Sequence, residues 1–330
     1  MTDWKIFDGK PEPHDGLKDL PAAPPWRFAR PQAKLVPPVG AARPAEEAHR
    51  AKPFIVSDPM RLAVNAALYL RRPLLLTGKP GTGKSTLIAK VADELMLGPV
   101  LRWPISSRST VRGGVYEYDA VGRLQSGKAD PPVQDYLTLG PLGTALLATS
   151  WPRALLIDEI DKSDLDFAND LLNVIEEGVY EIPELVRLGH ATHSVQDADN
   201  RPVAITDGRI ECRQFPFVVM TSNAEREFPA PFLRRCVRLT IGQPNTKELA
   251  AIVGEHLKAH AATLKATEVD KLIADFDASR VQKKEVSTDQ LLNAVFLTVA
   301  MRDEDKRSFS EDELAQLRSV LMQPLSGPGE

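Results

Sequence analysis

The feature that most constrains this chain is the stretch Gly78-Lys79-Pro80-Gly81-Thr82-Gly83-Lys84-Ser85, which lies between a short apolar run and a helical pattern. Pro73-Leu74-Leu75-Leu76-Thr77 reads as a buried strand running straight into the glycines, and Ser85 to Met96 reads as the helix that follows. In a strand-loop-helix context, glycines let backbone N–H groups turn inward around a phosphate. A lysine then reaches the β- and γ-phosphates, and the next hydroxyl meets a magnesium ion. The spacing predicts a phosphate-binding loop in which Gly78, Pro80, Gly81, Thr82, Gly83, Lys84, Ser85 and Thr86 hold a nucleoside triphosphate, with Ser85 on the metal.

Two further apolar runs end in polar residues suited to the same chemistry. Leu155-Leu156-Ile157 leads into Asp158-Glu159. Asp158 is placed to hold magnesium through water, and Glu159 to orient and polarise the attacking water. Asp161 and Asp164 continue the acidity and read as helix-start residues rather than ligands. Phe217-Val218-Val219-Met220 ends in Thr221-Ser222-Asn223, and a side-chain amide at the tip of a central strand can reach the attacking water or the γ-phosphate. Taken alone this signal is weak, and a cap on the next turn is the plainer alternative for Asn223. Arg234 and Arg235 follow Pro231-Phe232-Leu233 and suit a finger that neutralises transition-state charge, against the plainer alternative of solvated surface arginines.

The whole chain is organised around these motifs. Residues 1–53 read as a proline-rich arm, with Pro-Pro at 24–25 and 37–38, whose Trp4, Phe7, Trp26 and Phe28 suggest packing on the body or on a neighbouring subunit, against the equal alternative of a disordered tail. Asp58 reads as an N-cap with Pro59 at the first helical position. Strands at 100–103, 154–157, 217–220 and 237–240 are apolar on both faces, as in a parallel sheet covered on both sides. Residues 54–242 therefore read as an α/β domain, a parallel sheet sandwiched by helices. Residues 243–330 read as a small all-helical domain, with helices at 246–260, 268–276, 287–301 and 311–322.

The net charge of −4 offers no global field for nucleic acid or an anionic membrane. The two cysteines, Cys212 and Cys236, lack metal or disulfide spacing, and no apolar run suits a leader or a membrane span. The expectation is a cytoplasmic protein that does not enter membranes, with nucleic acid disfavoured as a partner and a local basic patch left open. His190/His193 and His256/His260 have tempting spacings but no further ligand, and read as surface histidines.

Taken in order, the phosphate loop, Asp-Glu strand, Asn-tipped strand, arginine pair and helical lid resemble an AAA+ ATPase, and most of all its MoxR-like branch. Residues 60–240 carry the resemblance strongly, the lid less so. It implies a P-loop NTPase fold and the use of ATP with Mg2+. It implies a ring, usually hexameric, that remodels a protein client, often beside a von Willebrand factor A domain protein. The catalytic set it implies is Glu159, Asn223 and Arg235, the arginine acting in a neighbouring subunit's site with Arg234 as an extra or alternative finger. Ser107 to Tyr118 resembles a hairpin insertion projecting toward the ring's pore, which makes Tyr116 and Tyr118 candidates for gripping a client or else for packing on their own subunit. Residues 186–213 read as a second inserted hairpin. The lid departs from the family pattern: where a Ser-Pro-Arg-like helix start is usual, this chain has Ser287-Thr288-Asp289. Lys283, Lys284 and Arg302 are the candidate replacements for the arginine. A nucleotide-gated switch with slow turnover, a GTP-dependent nucleic-acid motor and a phosphotransferase are the alternatives to a remodelling ATPase.

Overall fold

The computed structural model describes residues 4–27, 53–127, 129–257, 266–281 and 287–300, together with Glu313, Gln316, Leu317, Val320 and Leu321. Phe28, the second Pro-Pro pair, His260, Lys283, Lys284, Arg302 and most of the predicted last helix lie outside these residues. The chain divides into two units, one of residues 1–52, 56–77 and 85–240, the other of residues 53–55, 78–84 and 241–330.

The first unit is built on a parallel sheet of β1 (Leu74–Thr77), β2 (Leu101–Pro104), β3 (Ala154–Asp158), β4 (Phe217–Ser222) and β5 (Val237–Thr240), ordered β5-β1-β4-β3-β2. The sequence pattern explains the order. β1, β3 and β4 are buried along nearly their whole length, as the three inner strands of a sheet covered on both faces must be. The two edge strands alternate: Arg102 of β2, and Arg238 and Thr240 of β5, are exposed between more buried neighbours. All pairings are parallel, and register sets Thr77 beside Ser222 and Thr240, and Met220 beside Ile157. The C-terminal tips therefore share one edge, where open sheets of this kind bind ligands.

Helix α1 (Asp58–Leu70) precedes β1, α2 (Lys84–Glu94) follows the glycine loop and α3 (Leu165–Glu177) follows β3. The N-cap of α1 is Ser57, one residue earlier than expected, and Asp58 opens the first turn, where it pairs with Arg61. Asp164 caps α3 as expected, its carboxylate accepting the Phe167 N–H at 2.6 Å.

The second expected hairpin is present, Thr192–Gln196 pairing antiparallel with Pro202–Thr206, but the first does not stand as a separate projection. Tyr116–Tyr118 pairs antiparallel with Leu137–Leu139, which meets Thr192–Gln196 through Thr138 and Gln196; Pro202–Thr206, Arg209–Glu211 and Val179–Glu181 complete one second sheet. Tyr116 is consequently buried, and its hydroxyl donates to Glu184 Oε2 at 2.7 Å. Burial, together with the Glu184 carboxylate, pushes that phenol well above its usual range. Tyr116 is a core residue, and the reading of it as a client-gripping aromatic is corrected.

The described arm residues pack on this unit. Ile6, Phe7 and Leu17 are buried, whereas Trp26 is exposed. The fully buried Asn65 of α1 accepts the Ile6 and Phe7 N–H groups at 2.7 and 3.0 Å and donates to Phe7 O at 2.8 Å. Glu94, at the end of α2, accepts the Asp8 and Gly9 N–H groups on Oε1 at 2.6 and 3.1 Å. Trp4 meets Tyr69 edge to face, with ring centroids 5.7 Å apart.

The second unit has its own core. Leu249, Val253 and Leu257 from α4 (Thr246–His256) and its end meet Leu272, Ile273 and Phe276 of α5 (Ala266–Val281), with Leu291 and Val295 of α6 (Thr288–Ala300). Asn245 opens α4 with a reciprocal capping box to Glu248.

Candidate functional site

Four of the sequence-selected residues meet at the tips of β3 and β4. Ser85, at the second position of α2, donates its hydroxyl to Asp158 Oδ1 at 3.0 Å. Thr221 clamps the two strands: its hydroxyl donates to the same Asp158 oxygen and accepts the Glu159 N–H at 2.9 Å. Glu159 itself stands in the left-handed region, at φ 60° and ψ 49°. That conformation costs a non-glycine residue about 1–2 kcal/mol and persists only where its surroundings hold it. It turns the side chain out of the strand, where Asn223 Nδ2 approaches Glu159 Oε1 at 3.5 Å, the outer limit of hydrogen-bond reach. The other carboxylate oxygen receives Lys162 Nζ at 2.5 Å, and that bond raises the lysine's pKa.

Asp161 does something its sequence context did not suggest. It is buried in the 3-10 turn Ile160–Lys162, and its Oδ2 accepts the backbone N–H of Asn223 at 2.9 Å and of Glu225 at 3.2 Å. Its place after an Asp-Glu pair read as a helix start, and it does lie in the first turn of a 3-10 helix, yet its carboxylate reaches across to another strand's exit while Asp164 caps α3. No local signal marks the difference, because the partners lie in another strand's exit.

A magnesium ion suits this donor set. Ser85 and Asp158 bring a hydroxyl and a carboxylate oxygen together, and both are hard oxygen donors.

The glycine loop belongs to the second unit. Gly81 and Gly83 adopt φ of 74° and 83°, a conformation that glycine takes without penalty. Space makes the same demand. A Cβ on Gly81 would come within 2.8 Å of the Ser287 Cβ, and one on Gly83 within 2.6 Å of the Phe54 ring. Lys84 Nζ donates to the loop carbonyls of Gly78 at 2.7 Å and Lys79 at 2.9 Å, and Thr82 Oγ1 donates to Lys79 O at 2.9 Å. Pro80 lies between them in the turn, and Thr86 lies in the first turn of α2. Ser287 caps α6: its N–H donates to Gln290 Oε1 at 2.9 Å and its hydroxyl accepts the Gln290 N–H at 3.4 Å. Asp289, in the place of the expected arginine, is exposed and accepts from Asn293 Nδ2 at 3.2 Å.

The arginine pair sits apart from the strand-tip residues in its bonding. Arg235 donates to Asn173 Oδ1 at 3.0 Å and pairs with Glu176 Oε2 at 3.4 Å, both on α3. The other Glu176 oxygen receives Arg27 of the arm at 3.2 Å. Arg234 ends the short helix Ala230–Leu233, and its carbonyl accepts from Arg72 at 2.8 Å.

Residues 73–236 match the family described as AAA domain (dynein-related subfamily). A search of curated proteins returns no match. Among solved structures, the chain is similar to the crystal structure of domain III from the Thermotoga maritima replication initiation protein DnaA. The two share 15% identity, the match covers 84% of this chain and 98% of that one, and the TM-score is 0.47. Among the described residues, no helix is long and apolar enough to cross a membrane.

Proposed function

We propose that this chain, whose residues 73–236 match an AAA domain family, is a MoxR-like AAA+ ATPase that binds Mg-ATP, hydrolyses it in a ring oligomer and uses the cycle to remodel a protein partner. The observation that carries the hydrolytic part is the strand-tip cluster: Ser85 on Asp158, with Glu159 turned outward beside Asn223. The loop N–H groups and Lys84 take up phosphate charge, and Ser85 continues directly from Lys84 along the chain. A magnesium ion held by Ser85 and Asp158 would neutralise charge on the β- and γ-phosphates. Glu159 orients the attacking water, Asn223 steadies the Glu159 carboxylate, and Arg235 of a neighbouring subunit offsets transition-state charge. Within its own chain Arg235 is bonded to Asn173 and Glu176 of α3, and those bonds would have to release for it to act in a neighbour's site. Six subunits and a client linked to a von Willebrand factor A domain protein follow from the family resemblance, and a cytoplasmic setting from two cysteines without disulfide spacing.

Steady-state turnover with Lys84→Ala and Glu159→Gln tests the reading. Lys84→Ala should lose ATP affinity, and Glu159→Gln should keep affinity while turnover falls by about 100-fold or more. Unchanged turnover in both variants would refute the site.

A second reading, a nucleotide-gated switch with slow turnover, is favoured by one observation. The helix start facing Gly81 presents Ser287 and then Asp289 rather than a cation, so the second unit offers no arginine at that position to answer the γ-phosphate. A slow wild-type rate that rises on adding a protein partner would select it.

A further inference from the structure

We infer that Asp161 is a positioning residue for hydrolysis: its buried carboxylate holds the turn after β4 so that the Asn223 amide stays within reach of Glu159. The inference deepens the reading of Glu159 and Asn223 given above and rests on it.

Two strained residues flank the pair. Glu159 stands at φ 60° and Ala224 at φ 61°, neither of them a glycine. A turn through a left-handed alanine does not hold itself. Ala224 N–H reaches Ser222 Oγ at 3.0 Å, and the N–H groups on either side of it, those of Asn223 and Glu225, converge on one oxygen of Asp161. Charge-assisted bonds of this kind are about twice as strong as neutral ones. Asp161 lies two residues after Glu159 in the same tight turn, so one carboxylate ties the exit of β3 to the exit of β4. Arg226, which donates to Ser163 O at 2.6 Å, closes the far side of the same connection. With Asp161 removed, the turn would relax from its left-handed conformation and Asn223, already at the limit of its reach to Glu159, would swing away. Nothing in these contacts touches a phosphate-binding residue, so nucleotide affinity should be spared.

The test uses the full chain with Asp161→Ala, Asp161→Asn, Asn223→Ala, Ala224→Gly and the double variants. Asp161→Ala should lower kcat by roughly 10- to 100-fold, the loss that about 1 Å of misplacement brings, with KM for ATP within about twofold of wild type. Asp161→Asn, which keeps an oxygen acceptor, should recover part of the loss. Ala224→Gly relieves the left-handed strain, so adding it to Asp161→Ala should restore part of kcat. In the Asn223→Ala background, Asp161→Ala should cost little more, because both act through one amide. Single-residue hydrogen exchange should show faster exchange at Asn223 and Glu225 in Asp161→Ala. Unchanged exchange, a kcat within twofold of wild type, or losses that multiply in the double variant with Asn223 would overturn the inference. If wild type binds ATP without turning it over, the hydrolysis reading fails and takes the catalytic half of the inference with it; the exchange result still judges the clamp.

Discussion

Two buried carboxylates in the first unit do the same local job with different consequences. Glu94 gathers the N–H groups of Asp8 and Gly9 onto one oxygen, and Asp161 gathers those of Asn223 and Glu225. In each, the second oxygen is buried with no hydrogen-bond partner among the described residues. What differs is the load. Glu94 fastens an arm that brings Ile6 and Phe7 into the core, so its loss uncovers apolar surface. Asp161 fastens a short turn whose cargo is one amide. The same hydrogen-bond chemistry thus supports stability in one place and reaction geometry in the other. The identity of the held segment decides which.

That contrast predicts that variants in the arm clasp should lower stability while leaving turnover close to wild type. The largest effect is expected for Asn65→Ala, which strips three bonds from Ile6 and Phe7 and one from the Arg61 carbonyl in a fully buried position. Denaturant unfolding should show a loss of about 3–4 kcal/mol, combining unpaired buried amides with loosened packing of Phe7. Glu94→Ala should cost somewhat less, about 2–3 kcal/mol, because Asp8 and Gly9 are only partly buried. If either variant slowed ATP turnover as much as Asp161→Ala, the two clasps would not be separable, and the arm would belong to the catalytic apparatus.

The smallest effect concerns pH. Burial raises the Glu94 carboxyl above its ordinary value, outweighing the Asp8, His14 and Gly9 bonds that favour the anion. A raised folded pKa means that the unfolded chain ionises first. The stability associated with this group is therefore fully present below the unfolded value and is lost as pH rises through the folded one. Glu94→Gln keeps an acceptor for Asp8 and Gly9 but cannot ionise. It should match wild type at acid pH, where both side chains are neutral, and gain on it as pH rises through the folded value of Glu94. A constant difference across that range would show that Glu94 ionisation is not what couples the clasp to pH.

The candidate site residues stood out in the sequence because each is announced by its neighbours in the chain: glycines at loop spacing before Lys84-Ser85, an apolar run before Asp158-Glu159, another before Asn223. Buried parallel strands leave long apolar runs, and their polar ends mark the ligand edge. The edge strands and the joined second sheet were less legible, since edge position and sheet membership depend on which strands pair. Pairing also decided Tyr116: the spacing placed it in an inserted hairpin, but the strand it occupies turns the ring toward Glu184 and Tyr180 in the core.

Local pattern thus pointed to the residues suited to nucleotide chemistry, because strand, loop and helix signals act over a few residues. Only the tertiary structure decided how they are held. Thr221 reaches back 62 positions to Glu159, Asp161 reaches the same distance to Asn223, and Glu94 fastens an arm 86 positions earlier. A carboxylate looks alike in sequence whether it caps a helix, binds a metal or clamps a turn. Its burial and the N–H groups brought to it set its role, and both are properties of the folded chain.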